Sequence, residues 1–176
     1  NASNFGWFGW PSGYHVNAQT KGNAANAGDT RGVWAGGMQP GLPFIGSFYY
    51  VDIQVTSNTT TGIQELSTKS RFLASCSNNV RGVWAGGDVQ PSPGYTNRIE
   101  YMTIANMSST SDFGDLTATA QYHSGLSDGT GQRGVFAPIT TGNGNVMDYI
   151  TIDNAGNASD FGDLVFTGNR IGAASG

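Results

Sequence analysis

Charged side chains are scarce in this chain. Lys, Arg, Asp and Glu make up 11% of its 176 residues, against roughly 25% in an ordinary soluble domain. The formal net charge is −4, and the clustered Lys and Arg that bind a phosphate backbone are missing, so nucleic acid is not an expected partner. Long hydrophobic runs are missing too. No stretch approaches the roughly eighteen apolar residues of a membrane-spanning helix, so membrane insertion is not expected. The single cysteine, Cys76, excludes an internal disulfide and a thiolate metal cluster, leaving it the role of a small buried apolar residue. No signal peptide is legible, and a start at Asn1 is expected of a processed or partial chain.

What is abundant is glycine, with 27 residues, roughly twice ordinary usage. Ser, Thr and Asn stand where Lys and Glu usually do. The chain is therefore poor in helix formers, while Val, Ile, Tyr, Phe and Trp supply strand material. An all-β fold is expected, in one repeat domain over residues 1–176 that is long enough for a core.

The strongest pattern is a repeated word. RGVWAGG begins at Arg31 and again at Arg81, and a decayed copy, RGVFAPI, begins at Arg133, a period of about 50 residues. Each word is followed by a loop and an alternating segment: FYYVDIQV (48–55), NRIEYMTI (97–104) and NVMDYITI (145–152). Then come ANMSSTSDFGDL (105–116) and DNAGNASDFGDL (153–164), with a degenerate TSNTTTGIQEL (56–66) in the first unit. A further strand-like stretch, RFLASC (71–76), leads back to the next word.

One unit thus holds three or four short strands, a meander too small to bury its apolar face alone, so neighbouring units must stack on it. The expected architecture is a β-propeller of about four short-stranded blades, with units starting near residues 1, 31, 81 and 133. Within RGVWAGG, alternation puts Val33 and Ala35 on one face and Gly32, Trp34 and Gly36 on the other. Trp34, Trp84, Phe136, Ile99, Met147, Phe113 and Phe161 are the expected core. In DFGDL, Asp112 and Asp160 are expected to cap backbone N–H groups, Gly114 and Gly162 to supply unusual dihedrals, and Phe113 and Phe161 to staple the turn. Arg31, Arg81 and Arg133 recur at one position, which points to a structural pairing with the following unit's Asp or a backbone carbonyl.

The two ends of the chain fit the same repeat. Placing Arg170 on Arg71 brings Gly176 onto Ser77, and Asn1 then continues onto Asn78, with Trp7 on Trp84 and Gly9 on Gly86. Residues 4–10 are therefore expected to pair as a strand beside residues 170–175, closing a ring within one chain. The alternative is that the missing strand comes from another subunit.

The pattern resembles the kelch repeat in its glycine doublets, Gly36 with Gly37 and Gly86 with Gly87, and in Tyr101 and Tyr149. DFGDL stands where that family has a downstream tryptophan. More closely, the tandem RGVF/RGVW, DYITI and NASDFGDL words over residues 31–176 resemble repeats of virion structural proteins of marine tailed bacteriophages. That resemblance implies a virion-surface or tail-associated protein and does not imply a catalytic residue. Its implied partners are other virion proteins, copies of itself or a host-surface glycan.

Residues that could carry chemistry are few. DFG without a lysine strand, catalytic loop or glycine-rich loop is not a kinase motif. Asp112 with Asp115, and Asp160 with Asp163, lack the dense spacing of a Ca²⁺ loop. His15 and His123 fall in different units without a Cys or Glu cluster, so neither a metal nor a cofactor is expected, and no nucleophile motif accompanies them. The expected protein is not an enzyme. Trp10, Tyr14, Phe44 and Tyr95 are aromatics in Gly/Pro/Ser stretches that the repeat does not require, and they are the candidates for contact with a glycan or another subunit. The alternative functions are a bacterial extracellular lectin and a self-assembling filament subunit. A propeller glycosidase is disfavoured, because no repeat-breaking carboxylate pair is present.

Overall fold

The computed structural model describes residues 17–20, 31–38, 43–52, 54, 60–107, 109–128, 131–140, 144–168 and 170–173. The fold is all-β, with four small antiparallel sheets and no helix among the described residues. The first sheet holds β1 (Asn17–Thr20), β2 (Arg31–Met38), β3 (Phe44–Asp52) and β4 (Thr60–Glu65), paired in chain order. Two strands, β5 (Ser70–Arg71) and β6 (Ala74–Ser77), lead into the second word. The second sheet pairs β6 with β7 (Arg81–Ala85), β10 (Arg98–Thr103) and β11 (Ser111–Asp115). Between them, β8 (Asp88–Val89) joins β5 and β9 (Gly94–Tyr95) in a three-stranded sheet that the repeat does not announce. The third sheet runs β12 (Ser124–Ser127), β13 (Arg133–Ala137), β14 (Gly144–Thr151) and β15 (Ser159–Gly168). Each repeated word is thus the second strand of its sheet, and the residues before it supply the first.

The second sheet is apolar on both faces because it is covered on both. Cross-strand partners share a face and successive residues alternate. Trp84, Met102 and Ile104 pack with Val33, Ala35 and Phe48 of the first sheet. Val83, Ala85, Ile99 and Phe113 pack with Phe136, Ile150 and Ile152 of the third. The Trp84 ring meets Phe48 edge-on at 5.0 Å, a favoured aromatic geometry. Phe136, the counterpart of Trp84 in the third sheet, is fully buried, a burial that stabilises by about 2–3 kcal/mol.

Two glycine positions of the word have steric reasons. A Cβ on Gly82 would lie 2.6 Å from the ring of Trp84, so this glycine lets the indole fold back over its own strand. Gly86 has φ +62° and Gly87 +103°, and a Cβ on Gly86 would stand 2.7 Å from the carbonyl oxygen of Ala120. The word recurs because the same turn and close approach recur.

The expected core is realised on the second sheet and departs from expectation at both ends of the stack. Trp84, Phe136, Ile99 and Phe113 are buried. Trp34 and Met147 are half-buried, and Phe161 is 46% exposed. Met147 and Phe161 lie on the outward face of the third sheet, which no described sheet covers. Trp34 likewise points away from the second sheet.

The C-terminal register also differs from expectation. Phe72, Tyr122 and Arg170 all have left-handed φ, at 61°, 54° and 57°. Tyr122 N–H donates to Phe72 O at 3.3 Å, and Arg170 N–H donates to Tyr122 O at 2.7 Å. Arg170 therefore takes the step of Phe72, not of Arg71. The proposed pairing of residues 4–10 with 170–175 lies largely outside the described residues, as do Trp10 and Tyr14.

Candidate functional site

The repeated polar residues lock one sheet to the next. Arg31 on β2 donates through Nη1 to Ile104 O, at 3.1 Å, and to Ala105 O of the second sheet. Arg81 on β7 donates in the same way to Ile152 O of the third sheet at 2.8 Å. Each guanidinium also lies over the tyrosine across from the word, Arg31 on Tyr50 and Arg81 on Tyr101. The expectation of a carbonyl in the following unit is met at both positions. Arg133, on the last sheet, stacks on Tyr149 at 5.0 Å and Phe161 at 5.9 Å. It is exposed, and its guanidinium has no carbonyl partner among the described residues.

Two acids form a second lock that sequence reasoning missed. Glu100 pairs across from Trp84 on the buried face, where its carboxylate accepts from Ser67 N–H at 2.9 Å and from the Ser67 hydroxyl. Asp148, across from Phe136 and fully buried, accepts from Thr117 N–H at 2.7 Å and from the Thr117 hydroxyl at 2.8 Å. Each acid holds the linker that leaves the preceding sheet. The signal was present as an acid just before the tyrosine in both RIEYMTI and VMDYITI. Alternation alone reads such an acid as facing solvent.

In DFGDL the Asp160 carboxylate accepts from Gly162 N–H at 2.8 Å. Gly114 and Gly162 have φ of +143° and +127°, and Phe113 packs edge-on to Tyr101. The motif is not the expected turn: it lies within β11 and β15, where the shifts of register against β10 and β14 make it a β-bulge.

A column of rings and guanidiniums runs across the strand entries. Arg71 lies 4.4 Å from the ring centroid of Phe44 and 4.6 Å from that of Phe72. Phe72 stacks on Tyr122 at 4.2 Å, and Arg170 lies over Tyr122 at 4.5 Å. Arg71 is anchored by Asp88 through Nε at 3.0 Å and Nη2 at 2.8 Å. Burial pushes the Asp88 carboxyl up, but the Gly94 N–H, the Ser92 hydroxyl and the Arg71 guanidinium together hold it below the usual carboxylate range. Arg170 is exposed. Beside it opens a cavity of about 210 Å³ lined by Phe72, Tyr122, His123, Ser124 and Arg170.

His123, where the second sheet has Leu73, forms the floor of that cavity and packs on Phe136. Burial drives its pKa down to about 4, against a weaker opposing effect of the Ala85 backbone, so the imidazole is neutral at pH 7. Neither ring nitrogen has a hydrogen-bond partner of ordinary geometry. Cys76 is buried among apolar neighbours, which raises its thiol pKa well above the ordinary value.

Of the four aromatics expected to make contacts, Phe44 does not sit in a loop. It begins β3, is buried, and packs under Arg71. The Gly and Pro residues around it misled the reading, because the strand starts directly after them. Tyr95 is 39% exposed on β9 and pairs with Asp88, so the Arg71–Asp88 pair links Phe44 and Tyr95. This arrangement offers ring faces, a solvent-facing guanidinium and a hydroxyl. Among the described residues it brings no nucleophile and base together. No protein-family model matches the chain, and no curated protein matches it significantly.

Proposed function

We propose that the chain is a non-enzymatic structural component of a bacteriophage particle, at the virion surface or tail, with a role in host recognition. In this reading the four-stranded sheets are blades of a kelch-like propeller, completed by residues 4–10 against the C-terminal segment. The observation that carries it is the interlock used twice over, Arg31 to Ile104 and Arg81 to Ile152. A chain that spends its repeated polar residues on joining like units is a scaffold. Its low charge suits an extracellular one, and the repeat words supply the virion assignment. Mass spectrometry of purified infectious particles tests it, the expected result being stable co-purification through a density gradient. Recovery only from a bacterial culture fluid free of particles would reject the reading. The ring closure has its own test: removal of residues 1–10 is expected to lower the melting temperature, and an unchanged value would reject it.

A second reading, an extracellular lectin, draws on the cavity beside Arg170. Stacked ring faces with a guanidinium and a hydroxyl suit a sugar. Glycan-array binding that Tyr122→Ala abolishes, with no turnover of the bound sugar, is its expected signature.

A further inference from the structure

On the face of the second sheet that carries Trp84 and Glu100 lies a cavity of about 190 Å³. It is a different cavity from the one beside Arg170, with which it shares Leu73. Thr68, Ser70, Trp84, Arg98 and Glu100 bring polar groups to it. Arg98 and Glu100 form a pair, Nε lying 3.1 Å from the carboxylate. The Arg98 side chain is 40% exposed and marks the mouth, whereas Ser70, Trp84 and Glu100 are buried. The indole N–H of Trp84 has no hydrogen-bond partner among the described residues, which is costly for a buried donor.

The next unit shows that the repeat does not need these groups. Its equivalents of Thr68, Ser70, Trp84 and Arg98 are Ala118, Ala120, Phe136 and Val146. Two shared features fix that correspondence. Ser67 holds Glu100 as Thr117 holds Asp148, and Trp84 and Phe136 lie across from those two acids. Four polar side chains around one cavity thus become four apolar ones while the framework stays. Polarity gathered at a cavity, and not required by the fold, points to a ligand.

We propose that this cavity binds one neutral sugar residue, a site that depends on neither functional reading above. The volume is below the roughly 300–1,000 Å³ of pockets for drug-sized ligands and suits a single ring. The charges of Arg98 and Glu100 cancel, so a ligand with a net charge would enter without a counter-ion. A hydroxyl both donates and accepts. Adjacent ring hydroxyls can therefore donate to Glu100 and accept from the Arg98 guanidinium and the Trp84 N–H. Neither an ammonium nor a carboxylate alone can do both. A zwitterionic amino acid fits less well, because Glu100 already accepts from the Ser67 N–H and hydroxyl and has Arg98 beside it. Leu66 and Val89 line the cavity as well and face the C–H side of the ring.

Heteronuclear NMR of the full chain tests the proposal by following the Trp84 indole N–H, assigned by its loss in Trp84→Phe. Glucose, galactose and mannose are each titrated to about 100 mM, well above a millimolar dissociation constant. A saturable shift with at least one sugar is expected, and none with glycine or glucuronate. Arg98→Val and Ser70→Ala each install the residue of the following unit, so they keep the fold, which circular dichroism checks. Both are expected to weaken binding, Arg98→Val by about tenfold or more. Tyr122→Ala is expected to leave the shift unchanged. No shift with any of the three sugars leaves the cavity to ordered water and overturns the proposal. A shift indifferent to both substitutions, or produced equally by glycine, overturns it too. A shift lost in Tyr122→Ala and kept in Arg98→Val overturns it as well, and moves sugar binding to the cavity beside Arg170.

Discussion

His123 shows how much one buried side chain can determine. Its native pKa near 4 lies below the roughly 6.5 of an unfolded histidine, so the unfolded chain takes up the proton first. The stability it contributes is fully present above about pH 6.5 and is lost as pH falls toward 4, amounting to about 3 kcal/mol at most. The expected outcome is a urea midpoint that drops between pH 7 and pH 4.5. His123→Leu, which installs the residue that Leu73 provides in the preceding unit, should flatten that drop. An equally steep drop in the variant would show that other groups govern it. Asp88 acts in the same direction at lower pH, because its depressed carboxyl pKa loses its advantage as the acid protonates. Trp84 offers a second comparison within the chain. Trp84→Ala should cost about 3–5 kcal/mol, the usual range for a buried large aromatic. Trp84→Phe should cost far less, because Phe136 already fills the matching place. Thermal unfolding of the two variants checks the order.

At the scale of the element, the arginine lock separates repeats that look identical in sequence. Arg81 has its carbonyl in the next sheet and Arg133 has none among the described residues. Arg81→Ala is expected to destabilise by about 1.5–3 kcal/mol, typical of a hydrogen bond to a charged group. Arg133→Ala is expected to cost less than about 1 kcal/mol in dilute protein, since only an exposed cation–π contact is lost. Equal losses, measured by denaturant unfolding, would mean that the bond to Ile152 contributes little. The same contrast explains what could be read in advance. The alternating segments and the RGVW words were legible as strands because burial on alternate sides writes itself into sequence with period two. The unusual dihedrals of Gly114 and Gly162 were legible from DFGDL, but the motif read as a turn, because a bulge inside a strand carries the same glycine. Glu100 and Asp148 were not legible, since an acid declares its burial only through its partner, and Ser67 and Thr117 lie about 30 residues away. The β5–β8–β9 sheet was hidden for a different reason, its strands being two residues each. Phe161 was misplaced because the repeat tells which face a residue takes, and only the neighbouring unit decides whether that face is covered.

For the whole molecule, stability should be graded along the stack. Each sheet touches chiefly its neighbours, so its resistance to opening depends on how many faces are covered. The second sheet contributes to both core clusters, through Val83, Ala85 and Ile99 on one side and Trp84, Met102 and Ile104 on the other. Among the described residues the third is covered on one face, and its edge strand β15 leaves Val165 fully exposed and Phe166 half-exposed. Amide hydrogen exchange in dilute protein should therefore be slowest in β7 and β10 and fastest in β15, with β13 and β14 between. Covered faces set this order, and strand length would predict the reverse: β15 has ten residues and β7 five. If protection instead rises with length, or is uniform across the three sheets, then the sheets open as one unit and the outward face of the third is not the weak end of the fold.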